Sequence, residues 1–132
     1  MAHPRSRNPL AIGAGAIRLA SGLSFIVAPT AASRLWGSDP DDNPTAALLL
    51  RSMGYRDALV GGLLLRAGVR GDATTPGWFL ASAGADAADL LGGIANHARL
   101  PRRSQTVGLY GAAVGIAVGV VGAALARRAV AA

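Results

Sequence analysis

Apolar runs, broken by prolines and short polar stretches, divide this chain into four segments: residues 9–28, 45–65, 76–98 and 106–126. About twenty apolar residues suffice for a helix to cross the hydrocarbon core of a bilayer, and each segment is that long. Pro29 closes the first segment, and a polar connection over residues 30–43 follows, with Asp39, Asp41 and Asp42 in it. Pro44 stands where a helix begins, a position at which its missing N–H does no harm. Residues 66–75 form the next connection, and Leu100, Pro101, Arg102, Arg103 and Ser104 mark the last turn. The pattern predicts an all-α fold: one integral membrane domain over residues 1–132, built as a four-transmembrane-helix bundle of up-down topology. A soluble bundle would need polar residues recurring along one face of each helix. Here the first three segments carry one to three charges in their interiors and are otherwise apolar almost all round, while the fourth carries none. Arg18, at the centre of the first segment, also argues against a cleaved signal peptide despite Arg5 and Arg7 ahead of it.

Composition supports the same class. Hydrophobic residues make up 52% of the chain and charged residues 15%, with a mean hydropathy of +0.38, which suits a membrane domain better than a soluble one. The apolar mass is Ala, Leu, Val and Gly, the residues that let membrane helices approach closely. Lys, Glu and Cys do not occur, so a disulfide framework and a thiolate metal site are excluded. Exclusive use of Arg and Asp amid abundant Ala and Gly points to a GC-rich bacterial genome, and with the spans to the bacterial inner membrane.

The net charge of +6 raises nucleic-acid binding, but the placement of the arginines argues against it. They gather at segment ends, where they meet anionic headgroups. Four spans put both termini on one side. That side would hold Arg5, Arg7, Arg66, Arg70, Arg127 and Arg128, against Arg34, Arg99, Arg102 and Arg103 on the other. The excess favours cytoplasmic termini. Trp36 and Trp78 fall at segment edges, where indoles sit at an interface.

Six charges lie inside the segments: Arg18 in the first, Arg51, Arg56 and Asp57 in the second, Asp86 and Asp89 in the third. A charge near the bilayer midplane costs roughly 2.5–3.5 kcal/mol on insertion scales, so such groups must pair or meet water. Three arginines and three aspartates make a formally neutral set. Asp86 and Asp89 are one helical turn apart on one face and need bracketing cations to stay ionised together. Arginine can supply them through its fork of donors. Arg56 and Asp57 diverge by about 100° around the second segment, and Arg51 points away from both, so this helix should be the most enclosed. Arg51 has the alternative of snorkelling to an interface. The leading expectation is a fixed ion network that holds three helices in register. In the alternative, the aspartates receive a proton, an ion or a lipid-like head. A cavity reaching Asp86 or Asp89 would favour the alternative, and dry packing around fully paired charges would favour the network.

The fourth segment carries Gly111, Gly115, Gly119 and Ala123 at four-residue spacing, a strip on which another helix can pack closely. Packing against the first or third segment is expected before a homodimer face. No metal site is expected, since His3 is in the tail and His97 stands alone beside Asn96. Ser21, Ser24, Ser52 and Ser82 have no histidine near them in sequence, so no nucleophile–base pair can be assembled and no enzyme is expected. Gly13-x-Gly15 lacks the strand and spacing of a nucleotide fingerprint, and no cofactor is expected.

The arrangement Arg18-Leu19-Ala20-Ser21-Gly22, Pro29 after the first span, Arg51-x-x-Gly54-x-Arg56-Asp57-x-x-x-Gly61-Gly62-Leu63 and a carboxylate in the third span resembles small bacterial membrane proteins. The family is the one called domain of unknown function 4267. The resemblance implies a four-helix membrane protein, carries no established activity, and places the charged residues in the family's recognisable core. The expectation is a small structural or accessory membrane component. Its partners would be membrane lipids and either further copies of itself or a larger membrane complex, with no nucleic acid. A carrier or binder is the alternative.

Overall fold

A computed structural model describes residues 6–37 and 43–131, and these form five α-helices and no strand. They are α1 (Pro9–Val27), α2 (Pro29–Leu35), α3 (Pro44–Arg70), α4 (Thr75–Ala95) and α5 (Arg102–Ala131), with a 3₁₀ turn at His97–Arg99 before α5. Proline writes the helix starts: it occupies the first turn of α1, α2, α3 and α4, and Pro101 directly precedes α5. Its fixed φ suits a first turn, whose N–H groups have no partner inside the helix. Asn8 and Asn43 complete the first and third of these starts. Asn8 Oδ1 accepts from the Ala11 N–H at 3.0 Å and Asn43 Oδ1 from the Thr45 N–H at 2.9 Å. α3 stops at Gly71, whose φ of 60° is left-handed and whose N–H returns to the Ala67 and Gly68 carbonyls.

Several boundaries differ from the sequence reading. Pro29 ends α1 yet opens α2, so the expected connection over residues 30–43 begins with a helix. Its acidic part, Asp39, Asp41 and Asp42, lies outside the described residues, as do His3 and Arg5. α3 continues past residue 65 to Arg70, and α5 starts before residue 106 and runs on to Ala131. Arginine is a good helix former, so arginines flanking an apolar run extend a helix and do not end it. α4 closes at Ala95, short of residue 98, where the chain tightens into the 3₁₀ turn.

The four long helices pack as two antiparallel pairs. In the first, Ala11, Gly15, Arg18, Gly22 and Phe25 of α1 face Gly68, Leu65, Gly61, Ala58 and Gly54 of α3. Both rows advance by four and three residues alternately, the 3.5-residue period of a left-handed coil. The seam is backbone against backbone: a Cβ on Gly22 would lie 2.5 Å from the Gly54 carbonyl oxygen, and one on Gly61 2.5 Å from the Leu19 nitrogen. In the second pair, Phe79, Ala83, Asp86 and Gly93 of α4 meet Gly122, Gly119, Gly115 and Leu109 of α5. The pairs join at the end bearing the α3–α4 turn, where Ala11, Leu64, Phe79, Ala123 and Ala126 form a buried cluster. The beginning of α1 and the end of α5 lie at this same end.

The outer surface is apolar: Ile17 is 74% exposed, Leu91 68%, and Leu48, Leu49, Val114, Val120 and Leu125 are also exposed. At about 1.5 Å per residue the 19-residue α1 spans about 28 Å and the 30-residue α5 about 45 Å. Among the described residues these are the two helices long and apolar enough to cross a membrane. α3 and α4 have the length, but internal charges lower their apolar character.

Candidate functional site

The interior charges meet where the two pairs face each other, near the middle of α1, α3 and α4. Arg18 reaches from α1 between α3 and α4. Its Nη1 donates to Asp86 Oδ2 at 2.9 Å and to Ser82 Oγ at 2.8 Å, while Nη2 donates to Asp86 Oδ1 at 2.9 Å and Asp57 Oδ1 at 3.1 Å. The fork on Asp86 is bidentate, the strongest geometry available to this pair. Arg56 forms the second half. Its Nη1 and Nη2 hold the two oxygens of Asp89 at 3.0 and 2.7 Å, and Nε and Nη2 lie 3.2 and 3.1 Å from Asp57 Oδ1. Asp57 Oδ1 thus joins the two arginines. Burial is graded: the side chains of Arg18 and Asp57 are 13% and 14% exposed, that of Asp89 40%.

The arrangement corrects the expected set in three respects. Arg51 is not in the network; it is exposed, and its Nε donates to the Ile26 carbonyl at 3.3 Å. That carbonyl belongs to the last turn of α1, where backbone acceptors lack helical partners and a cation is favourable. Without Arg51 the set is not neutral: two guanidiniums face three carboxylates, an excess of one negative charge. Arg56 and Asp57 leave α3 in different directions, but the long Arg56 side chain folds back, so the pair is joined. Asp86 and Asp89 do share a face, each held by a different arginine. Ser82 is a member that sequence reasoning missed. Its signal was spacing, since Ser82, Asp86 and Asp89 recur at four and three residues on one face of α4.

The glycine strip is also redistributed. Four residues turn a helix by about 400°, so a strict four-residue row drifts by about 40° per step and by about 120° from Gly111 to Ala123. The row that meets α4 is Gly115, Gly119 and Gly122, followed by buried Ala126. Gly119 packs on Phe79 and Ala83, while Gly111 has turned away and meets only the Trp36 ring, 3.5 Å from its would-be Cβ. Gly115 touches the charge network, because a Cβ there would collide with the Asp86 carboxylate.

Above the network lies a cavity of about 500 Å³ between the two pairs. Asp57, Asp86 and Asp89 are at its floor, and Phe25, Leu50, Met53 and Leu109 form apolar walls. Gly92 and Gly108 widen it, since a Cβ at either would meet no atom within 4 Å. Trp36 and Ser33 line it from α2 and the residue that closes α2. Ser104 Oγ donates to the Gly37 carbonyl at 2.7 Å, tying the start of α5 to this end. His97 stands apart, with Nδ1 3.1 Å from the Ile94 carbonyl. Among the described residues no three histidine or carboxylate side chains converge as metal ligands.

The sequence model of a family described as a domain of unknown function (DUF4267) matches residues 15–126, a range that holds every member of the network. No curated protein and no solved structure matches the chain.

Proposed function

We propose that this chain, which belongs to the DUF4267 family, is a four-span membrane protein that receives a lipid-like molecule in the cavity above its Arg/Asp network. Two features support the membrane setting. The exterior carries exposed apolar side chains on all long helices while Arg18, Asp57 and Asp86 are drawn between them, a distribution that would aggregate in water. The arginines of the described helices also gather at the two ends of the bundle: Arg66, Arg70, Arg127 and Arg128 at one, Arg34, Arg99, Arg102 and Arg103 at the other. α3 and α4 cross with α1 and α5 because Arg56, Asp57, Asp86 and Asp89 are paired between the helices, while Arg51 is held at the Ile26 carbonyl.

The observation that carries the binding role is the cavity itself. A network serving only to fasten helices would be packed dry, and here about 500 Å³ opens directly onto its three carboxylates. That volume lies within the range of small-molecule sites, which combine apolar walls with a few convergent polar groups. The network keeps its structural duty, since Arg18 bonds from α1 to both α3 and α4. The role is binding or carriage, without bond chemistry. The test is lipid analysis of protein purified in a neutral detergent. Wild type should retain a stoichiometric amphiphile, and Gly92→Leu or Gly108→Leu should lose it while keeping the helical content of wild type. Equal lipid content in wild type and the filled variants would return the protein to a purely structural role.

A further inference from the structure

We propose that the occupant is an amphiphile with a single positively charged ammonium head, held at Asp57 with its chain between the apolar walls; this rests on the cavity being a binding site. Three observations select the charge. First, the floor carries one more carboxylate than guanidinium, so a monocation neutralises it and an anion would deepen the imbalance. Second, the donors around Asp57 all converge on Oδ1: Arg18 Nη2, Arg56 Nε and Arg56 Nη2. Among the described residues Oδ2 receives no hydrogen bond, and Asp57 lines the cavity. Third, the charged side chains that line the cavity are Asp57, Asp86 and Asp89, and neither Arg18 nor Arg56 lines it. The Arg18 Nε is left without a partner, but it is buried away from the cavity wall. A phosphate or carboxylate head would face carboxylates there, whereas an ammonium N–H meets the vacant acceptor.

A metal ion is the rival cation, but no three ligands converge among the described residues. The walls add the second half of the specificity. Phe25, Leu50, Met53 and Leu109 offer no hydrogen-bonding side chain, and the lining is mostly apolar although Ser21, Ser33 and Ser104 also contribute, so most of the occupant's length is hydrocarbon.

Calorimetric titration of the full chain in neutral-detergent micelles tests this with dodecylammonium, dodecanol, dodecanoate and ethylammonium. The signal is the heat in excess of that from the cavity-filled Gly92→Leu variant. Dodecylammonium should bind at least tenfold more tightly than dodecanol, the margin of one charge-assisted hydrogen bond. Ethylammonium should bind more than a hundredfold more weakly, because it lacks ten methylenes. Asp57→Asn should erase the preference for ammonium over dodecanol. Dodecanol or dodecanoate binding as well as dodecylammonium would overturn the cationic head and leave the cavity reading standing. Ethylammonium binding as well as dodecylammonium would overturn the amphiphile. No excess heat from any probe would overturn both. If Asp57→Asn fails to fold, the comparison of the four probes on wild type decides alone.

Discussion

Along the α1–α3 seam, Gly15, Gly22, Gly54, Gly61 and Gly68 bring one backbone close onto another, with the Cβ atoms of Ala11 and Phe25 set against Gly68 and Gly54. Between α3 and α4, beyond their turn, the approach is made through Arg56, Asp57 and Asp89, and a cavity opens beside them. The first seam gains dispersion contacts over its whole length, which is what drives helices together where lipid and side chain are equally apolar. The second is held at a few polar points, and polar points leave room. One molecule therefore contains a pair joined backbone to backbone and a seam with a cavity beside it, and the difference lies in the side chains placed between the helices.

The comparison can be broken most severely at Arg18. Arg18→Met strands Asp86 and shares Asp57 with Arg56 alone, and losing one partner of a buried ion pair costs about 3–5 kcal/mol. Thermal unfolding in detergent should show this loss, and Arg18→Lys should restore only part of it because an ammonium cannot form the fork. Gly61→Val attacks the other seam. Its side chain meets the α1 backbone at Leu19 and Arg18, and overpacking of this kind costs about 1–3 kcal/mol. The same melts should register it.

A smaller change separates packing from charge. Gly115→Ala pushes a methyl into the Asp86 carboxylate and should cost about 1–3 kcal/mol, with coupling to Asp86→Asn in a double-mutant cycle. Additive effects would mean that the glycine serves helix packing alone. Arg51→Ala should be the mildest, within about 0.5 kcal/mol, since the side chain is exposed and outside the network. The membrane frame of the comparison is checked with single cysteines in this cysteine-free chain. In sealed vesicles an impermeant maleimide should label Ala73→Cys and Ala98→Cys from opposite sides. Labelling of both from one side would refute the four-span arrangement.

Much of this was legible along the chain. The all-α class, the four long helices and the proline start of α3 follow from apolar runs about twenty residues long, because hydropathy and the missing proline N–H are local properties. The family resemblance was likewise readable in the segment from Arg51 to Leu63, and the family match covers it. Arg18, Asp57, Asp86 and Asp89 stood out because a charge in an apolar helix has few tolerable environments. Which charges pair was not legible. Balanced signs suggested six members, but pairing depends on the reach and bending of side chains. Arg51 found a carbonyl on α1, Arg56 folded back, and Ser82 joined from one turn away.

The amino-acid sequence thus determined the helices and the presence of charges that must be sheltered, all through local periodicity and solvation. Only the tertiary structure decided that one negative charge is left over and that a cavity opens onto it. Both depend on how two glycine-bound pairs meet, and that meeting is set by packing between residues far apart in the chain.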